Sequence, residues 1–290
     1  MAKSLPDSSK SSYVPDGEKQ SRRIGPTSGW RLIDFGEVWE YRSLFYFLVR
    51  RDVKTRYAQS VLGIGWAVAQ PVFMMIVFSV IFGQLVDVDS DGLPYVIFSY
   101  TALVPWTYFS GATGASTTSL ITNRNMISKV YFPRLIVPFT AVFAKLVDFF
   151  IALILVGVLM AWYGIFPSVW AILLPAYFLV MVATVAGLGM WLTALAIQFR
   201  DVSYGIPLAI QLLMYLSPVV YPVAIVPDRF RPIYALNPMS GVIDGFRSGL
   251  LGATTPQMDL LIIGGIVATV LFISGAFYFR RTERKFADVG

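Results

Sequence analysis

LFYFLVRRDVKTRYAQSVLGIGWAVAQPVFMMIVFSVIFG, running from Leu44 to Gly83, changes character at Ser60–Val61. Up to that point it is amphipathic and basic, with Arg50, Arg51, Lys54 and Arg56 in quick succession. Beyond it lies an apolar run long enough to cross a bilayer. Bases set against the start of a span sit where anionic lipid headgroups hold them. The run still carries Trp66, Gln70 and Pro71, with Gln84 just after it, so it does not read as a plain lipid-facing helix. A basic platform feeding such a span points to a membrane subunit that receives something from the cytoplasmic side.

The rest of the composition agrees with a membrane protein. The 290 residues are 56% hydrophobic and only 14% charged, with a mean hydropathy of +0.66. Their apolar residues gather into about six long runs. No cysteine is present, which removes disulfides and thiolate metal sites; no histidine is present, which removes the commonest general base. No G-x-x-x-x-G-K-[ST] phosphate loop occurs. GATGASTT at Gly111–Thr118 lacks the lysine and falls inside an apolar span. Neither HExxH nor GxSxG is found, so the chain is read as a non-enzyme whose transport is powered by a partner or an ion gradient. Asp148 is the main carboxylate placed within a span, which weakens the ion-gradient reading.

Of the 23 lysines and arginines, six spans leave only Arg229, Arg231 and Arg247 on the outer side. The positive-inside rule then puts both termini in the cytoplasm. The bases follow membrane edges and not one soluble face, so no nucleic-acid partner is expected.

Taken in order, residues 1–33 read as a flexible cytoplasmic tail without an apolar signal region. Residues 34–60 show Val38, Tyr41, Phe45 and Leu48 at helical spacing, as in a helix lying in the interface. That helix is either an anchor or a gate beside an entrance. The fold expected is all-α: a membrane domain over 34–285 with spans at 61–82, 95–120, 135–161, 168–197, 205–221 and 258–279. Between the last two, 228–251 reads as two short helices broken at Asn237-Pro238 that dip back into the outer leaflet. Asp87, Asp89, Asp91 and Gly92 resemble half of an EF-hand, but Phe98 stands where a bidentate glutamate is needed.

Four polar features stand out along the spans and between the last two. Ser99, Trp106, Ser110, Thr113 and Thr117 share one face of the second span and either line a wet path or bond back to backbone carbonyls. Lys145 and Asp148 are spaced to pair, or to act in transport. Asp244 and Arg247 are spaced to pair in the same way. Tyr204, Gln211, Tyr215 and Pro218 form a second stripe on the fifth span.

RRDVKTRYAQSVLGIGWAVAQPVFMMIVFSVIFG, LVPWTYFS, KVYFPR, SPVVYP and LNPMSGVIDGFR, in that order, resemble the membrane subunit of type-2 ABC exporters. Within these the chain is most similar to the polysaccharide branch, which exports O-antigen, capsule or teichoic-acid chains. The resemblance implies a homodimer in the inner (plasma) membrane with two copies of a separate P-loop ABC ATPase. ATP and Mg would reside on that partner, and no cofactor on this chain. It implies a gate helix at 34–60 and a coupling helix within 123–132, carried by Arg124, Asn125, Met126, Ile127, Lys129 and Tyr131. It also implies an outer gate involving Asn237, Pro238, Asp244, Phe246 and Arg247.

The substrate implied is a lipid-linked glycan. Its sliding path is assigned to Trp66, Gln70, Phe73, Phe78 and Phe82, to Trp106, Ser110 and Thr113, and to Gln211 and Tyr215, because sugars suit aromatic rings and weakly held hydroxyl or amide groups. Arg50, Arg51, Lys54 and Arg56 either hold the carrier's pyrophosphate or simply contact lipid headgroups. Alternative readings are a type-2 ABC exporter of a drug or lipid, and a membrane-embedded glycosyl- or acyltransferase.

Overall fold

A bilayer offers the backbone no water, so a spanning chain must satisfy its peptide groups within each segment. The computed structural model describes residues 35–58, 60–127, 129 and 132–283, and every regular element among them is a helix. These elements belong to one unit, Leu32–Gly290. The tail at 1–33, Asp34, Tyr131, Arg284 and Lys285 lie outside the described residues.

The interfacial segment forms two helices, α1 (Phe35–Glu40) and α2 (Arg42–Tyr57), parted at Tyr41. The first apolar helix begins as a tight turn at Gly63–Gly65, continues as α3 (Trp66–Phe78) and widens into a π turn at Ser79–Leu85. Then follow α4 (Tyr95–Thr122), the single turn α5 (Arg124–Ile127), α6 (Ile136–Tyr163) and α7 (Leu174–Gln198). The lead-in to α7 is capped by Ser168, whose Oγ accepts the Trp170 N–H at 3.2 Å. The chain continues through α8 (Arg200–Tyr215), α9 (Arg231–Ala235), α10 (Pro238–Leu251) and α11 (Met258–Glu283). The break before α10 is local chemistry. Asn237 accepts the Met239 N–H at 3.1 Å, and Pro238 takes a first-turn position where no donor is missed.

Among the described residues four helices are long and apolar enough to cross a membrane: Gly63–Leu85, Ile136–Tyr163, Val169–Gln198 and Met258–Glu283. The two remaining spans expected from the sequence differ from these in instructive ways. Helix α8 has 16 residues, about 24 Å of helix against a hydrocarbon core of about 30 Å. Helix α4 matches α6 in length, at 28 residues, but is diluted by serine and threonine. Its position explains the composition. It packs mainly on α6 and α7 and buries most of its residues inside the bundle, where a helix need not be greasy all round.

That burial places most of the hydroxyl stripe inside the bundle. Ser99 Oγ donates to the Val96 carbonyl at 3.2 Å, and Thr117 Oγ1 to that of Thr113 at 2.7 Å. Thr107 does the same to Val104 at 3.1 Å, and Ser116 reaches across to Pro138 O at 3.4 Å. Ser99 and Thr117 of the stripe therefore bond to backbone within their own helix, Thr113 Oγ1 is buried without a partner, and Ser110 is half-buried.

The longest seam runs between α7 and α11. Gly187 and Gly275 let these backbones touch: a Cβ on Gly187 would fall 2.6 Å from Phe272 N, and one on Gly275 2.5 Å from Gly187 O. Further along the same seam Trp191 stacks on Tyr278 at 4.2 Å and donates its Nε1–H to Ser274 Oγ at 3.0 Å.

Candidate functional site

Helices α2, α3, α4 and α6 enclose a cavity of about 230 Å3 lined chiefly by Arg56, Tyr57, Trp66, Gln70, Tyr108 and Lys145 around Asp148. Three donors converge on the one carboxylate. Arg56 Nη1 lies 2.9 Å and Lys145 Nζ 3.0 Å from Asp148 Oδ2, while the Tyr57 hydroxyl donates to Oδ1. Lys145 and Asp148 thus pair as their spacing predicts, but within a larger cluster. The Lys145 stem lies over Gly111, where a Cβ would already stand 3.4 Å from Lys145 Cε. Burial, and then the neighbouring Asp148, push the Tyr57 phenol up to about 12, so it remains a neutral donor.

The four bases of the opening stretch separate into two kinds. Arg56 is committed to the cavity. Arg51 turns to the protein, donating through Nη2 to Asp52 Oδ1 at 2.9 Å and to Asn123 Oδ1 at 2.7 Å, with Nη1 3.5 Å from Met126 Sδ. Arg50 and Lys54 are exposed, beside exposed Tyr46 and Phe47. They are the pair placed to meet headgroups.

The proposed sliding residues also divide. Trp66, Gln70 and Phe73 on α3, and Gln211 and Tyr215 on α8, are exposed. Ser110 and Phe82 are half-buried, whereas Phe78, Trp106 and Thr113 are enclosed at 6%, 4% and 1% exposure. Side chains so enclosed touch neighbouring helices and present no surface to a passing polymer.

At the other end, Asp244 and Arg247 do not form the ion pair that their spacing suggests. Arg247, 6% exposed, donates Nε–H to Phe98 O at 3.2 Å, Nη1–H to Pro218 O at 2.6 Å and Tyr221 O at 3.1 Å, and Nη2–H to Val219 O at 2.7 Å. It also lies 3.5 Å above the Phe98 ring centroid. Asp244 instead accepts the Gln257 N–H at 3.0 Å. The geometry follows from prolines: α8 ends at Tyr215, and Pro218 and Pro222 can donate nothing, so the carbonyls of this irregular stretch need an outside donor. Phe246 is buried against Phe149 at 5.9 Å, and Asn237 Nδ2 donates to Ser217 Oγ at 2.8 Å while Pro238 packs over Gly264.

Between α4 and α6, Arg124, Asn125, Met126 and Ile127 make up α5, with Lys129 exposed just beyond. The Arg51–Asn123 bond ties α2 to the start of this segment.

The sequence profile of the ABC-2 type transporter family matches residues 43–251, which includes every element from α2 to α10. The chain belongs to this family. It is 28% identical over 254 residues to the O-antigen export system permease protein RfbA of Myxococcus xanthus, covering 87% of this chain and 97% of that one. The RfbA protein of Klebsiella pneumoniae is 28% identical over 249 residues, covering 85% and 94%. The polysialic acid transport protein KpsM of Escherichia coli is 21% identical over 242 residues, covering 81% and 92%.

With family membership established, this ABC-2 subunit is an integral membrane transport component and not itself an enzyme. Two of its polar residues escaped sequence reasoning. Neither Tyr57 nor Tyr108 carries a local sequence signal, and only the approach of α2 to α6 turns Tyr57 toward Asp148. The one available signal was Asp148 itself, a carboxylate placed within an apolar span.

Proposed function

We propose that this chain is the membrane subunit of an ATP-driven exporter that moves lipid-linked polysaccharide out of the cytoplasm across the inner membrane. The observation that carries the reading is the extent of the likeness. Relatives named for two different glycans, O-antigen and polysialic acid, align over more than nine-tenths of their own lengths. What such relatives have in common is a polysaccharide cargo.

In this reading α4 and α8 cross the membrane together with the four apolar helices, α9 and α10 re-enter from outside, and both termini face the cytoplasm. Two copies of the chain face one another, and two copies of a separate P-loop ATPase dock below at Arg124–Ile127 and Lys129. The exposed faces of α3 and α8 support a channel between subunits, since Trp66, Phe73 and Tyr215 offer rings, and Gln70 and Gln211 amides, on otherwise aliphatic surfaces. Rings and amides hold a sugar weakly enough to let it slide.

The test is reconstitution of the chain with its ATPase in liposomes, following lipid-linked glycan as it becomes accessible outside. Reversing both charges, Arg124→Glu with Lys129→Glu, is expected to cut substrate-stimulated ATP turnover and flux at least ten-fold with insertion unchanged; undiminished export would remove this segment from the coupling role. The double variant Phe73→Ala with Tyr215→Ala is expected to slow flux three- to ten-fold while basal ATP turnover stays constant. Flux at the wild-type rate would take these rings off the path.

A further inference from the structure

The cavity between α2, α3 and α6 carries more positive charge than its single carboxylate balances. Arg56 and Lys145 line it, Asp148 is the one acidic residue among its lining, and the remaining polar groups, Tyr57, Gln70, Thr107 and Tyr108, are neutral. Donors are in excess as well. A guanidinium has five N–H groups and an ammonium three, yet each cation gives a single hydrogen bond, to the same oxygen, Asp148 Oδ2. The space beside them, about 230 Å3, is roughly eight times the ~30 Å3 that a water takes in the liquid. Side-chain exposures of 26%, 24% and 18% for Arg56, Lys145 and Asp148 make the cluster reachable from outside the bundle.

We propose that this cavity is a binding site for a phosphoryl or pyrophosphoryl group, and that Asp148 is a built-in competitor that occupies its cations until such a group displaces it. A tetrahedral phosphoryl anion brings several acceptor oxygens to donors that one carboxylate leaves partly unused. Arg56, Lys145 and the Tyr57 hydroxyl are already aimed at one point, so binding exchanges one anion for another without reorganising the site. Trp66 and Gln70, on the wall facing them, suit the first sugar carried on such a phosphate. Asp148 sets how tightly the group is held: it keeps two cations from being stranded unpaired in an apolar setting, and it weakens the site enough for the cargo to leave. The assignment rests on the glycan-export reading only for the identity of the cargo. The anion site itself rests on the cluster.

Binding is measured on the full chain in nanodiscs of phosphatidylcholine, with inorganic pyrophosphate and farnesyl pyrophosphate as separate probes. Asp148→Asn is expected to tighten binding about ten-fold, Lys145→Met to weaken it about ten-fold, and the two together to return it near the wild-type value. A gain for both probes assigns the site to any accessible phosphoryl anion, and a gain for the prenyl probe alone assigns it to a lipid headgroup; both support the competition. Unchanged or weaker binding in folded Asp148→Asn, with a lowered melting temperature, makes Asp148 a purely structural partner and overturns the proposal. Should that variant not fold, Lys145→Gln is read in its place, and unchanged affinity there overturns the site. Glycan flux by the wild-type complex is measured separately, so failure of the cavity and failure of the export reading give different results.

Discussion

Arg247→Met is expected to cost about 3–5 kcal/mol of stability, enough to lower the melting temperature of the purified subunit by roughly 10 °C. Methionine keeps much of the side-chain volume but removes every donor. The carbonyls of Phe98, Pro218, Val219 and Tyr221 then lose the guanidinium that now serves all four. Stranding a buried acceptor costs about 1–3 kcal/mol, and water reaching part of the site would lower the sum. Arg247→Lys is expected to fall between, because an ammonium cannot span carbonyls that a planar fork reaches in several directions. Thermal unfolding in detergent checks the series. A melting temperature for Arg247→Met within about 2 °C of wild type would falsify the claim that this side chain holds the stretch after α8 to α10 and α4. Because Arg247 secures the stretch between α8 and α10, flux by the reconstituted exporter should fall with stability.

Gly187→Val should be still more damaging, and for a different reason. Its Cβ would stand 2.6 Å from Phe272 N, 2.7 Å from Leu271 C and 2.9 Å from Leu271 O, all backbone atoms that cannot rotate away. The helices must separate, and the Trp191–Tyr278 stack and the Trp191–Ser274 hydrogen bond go with them. Overpacking a well-filled contact typically costs about 1–3 kcal/mol, and more where backbone meets backbone. In a membrane the close approach of small residues is a large part of what holds helices together. The expected outcome is loss of most folded protein, read as aggregation in size-exclusion chromatography. Leu179→Val, at an exposed position of the same helix α7, should elute as wild type. Normal elution of Gly187→Val would show that α11 does not need this contact.

Much of the architecture was legible before any coordinates. The basic-to-apolar switch at Ser60–Val61 precedes the helix that starts at Gly63, and the Asn237-Pro238 break is where α10 begins. Such features are local: a run of apolar residues, a proline without a donor or a capping side chain acts within a few positions of itself. The Lys145–Asp148 pair, one helical turn apart, was legible for the same reason. The i, i+3 rule failed at Asp244 and Arg247 because a stronger demand came from elsewhere. Unpaired carbonyls after α8 outbid a carboxylate that a backbone N–H could satisfy.

By itself the sequence determined a helical membrane chain, the positions of its long apolar helices and its kinship with ABC-2 transporters, because hydropathy, helix period and motif order are properties of neighbouring residues. Only the tertiary structure decided which helix is innermost and which polar groups meet. Helix α4 can carry hydroxyls because α6 and α7 cover it, and Arg56 finds Asp148 across 92 positions of chain because α2 lies on α6. Contacts between distant segments depend on how the helices pack, and no local pattern of residues encodes that distance.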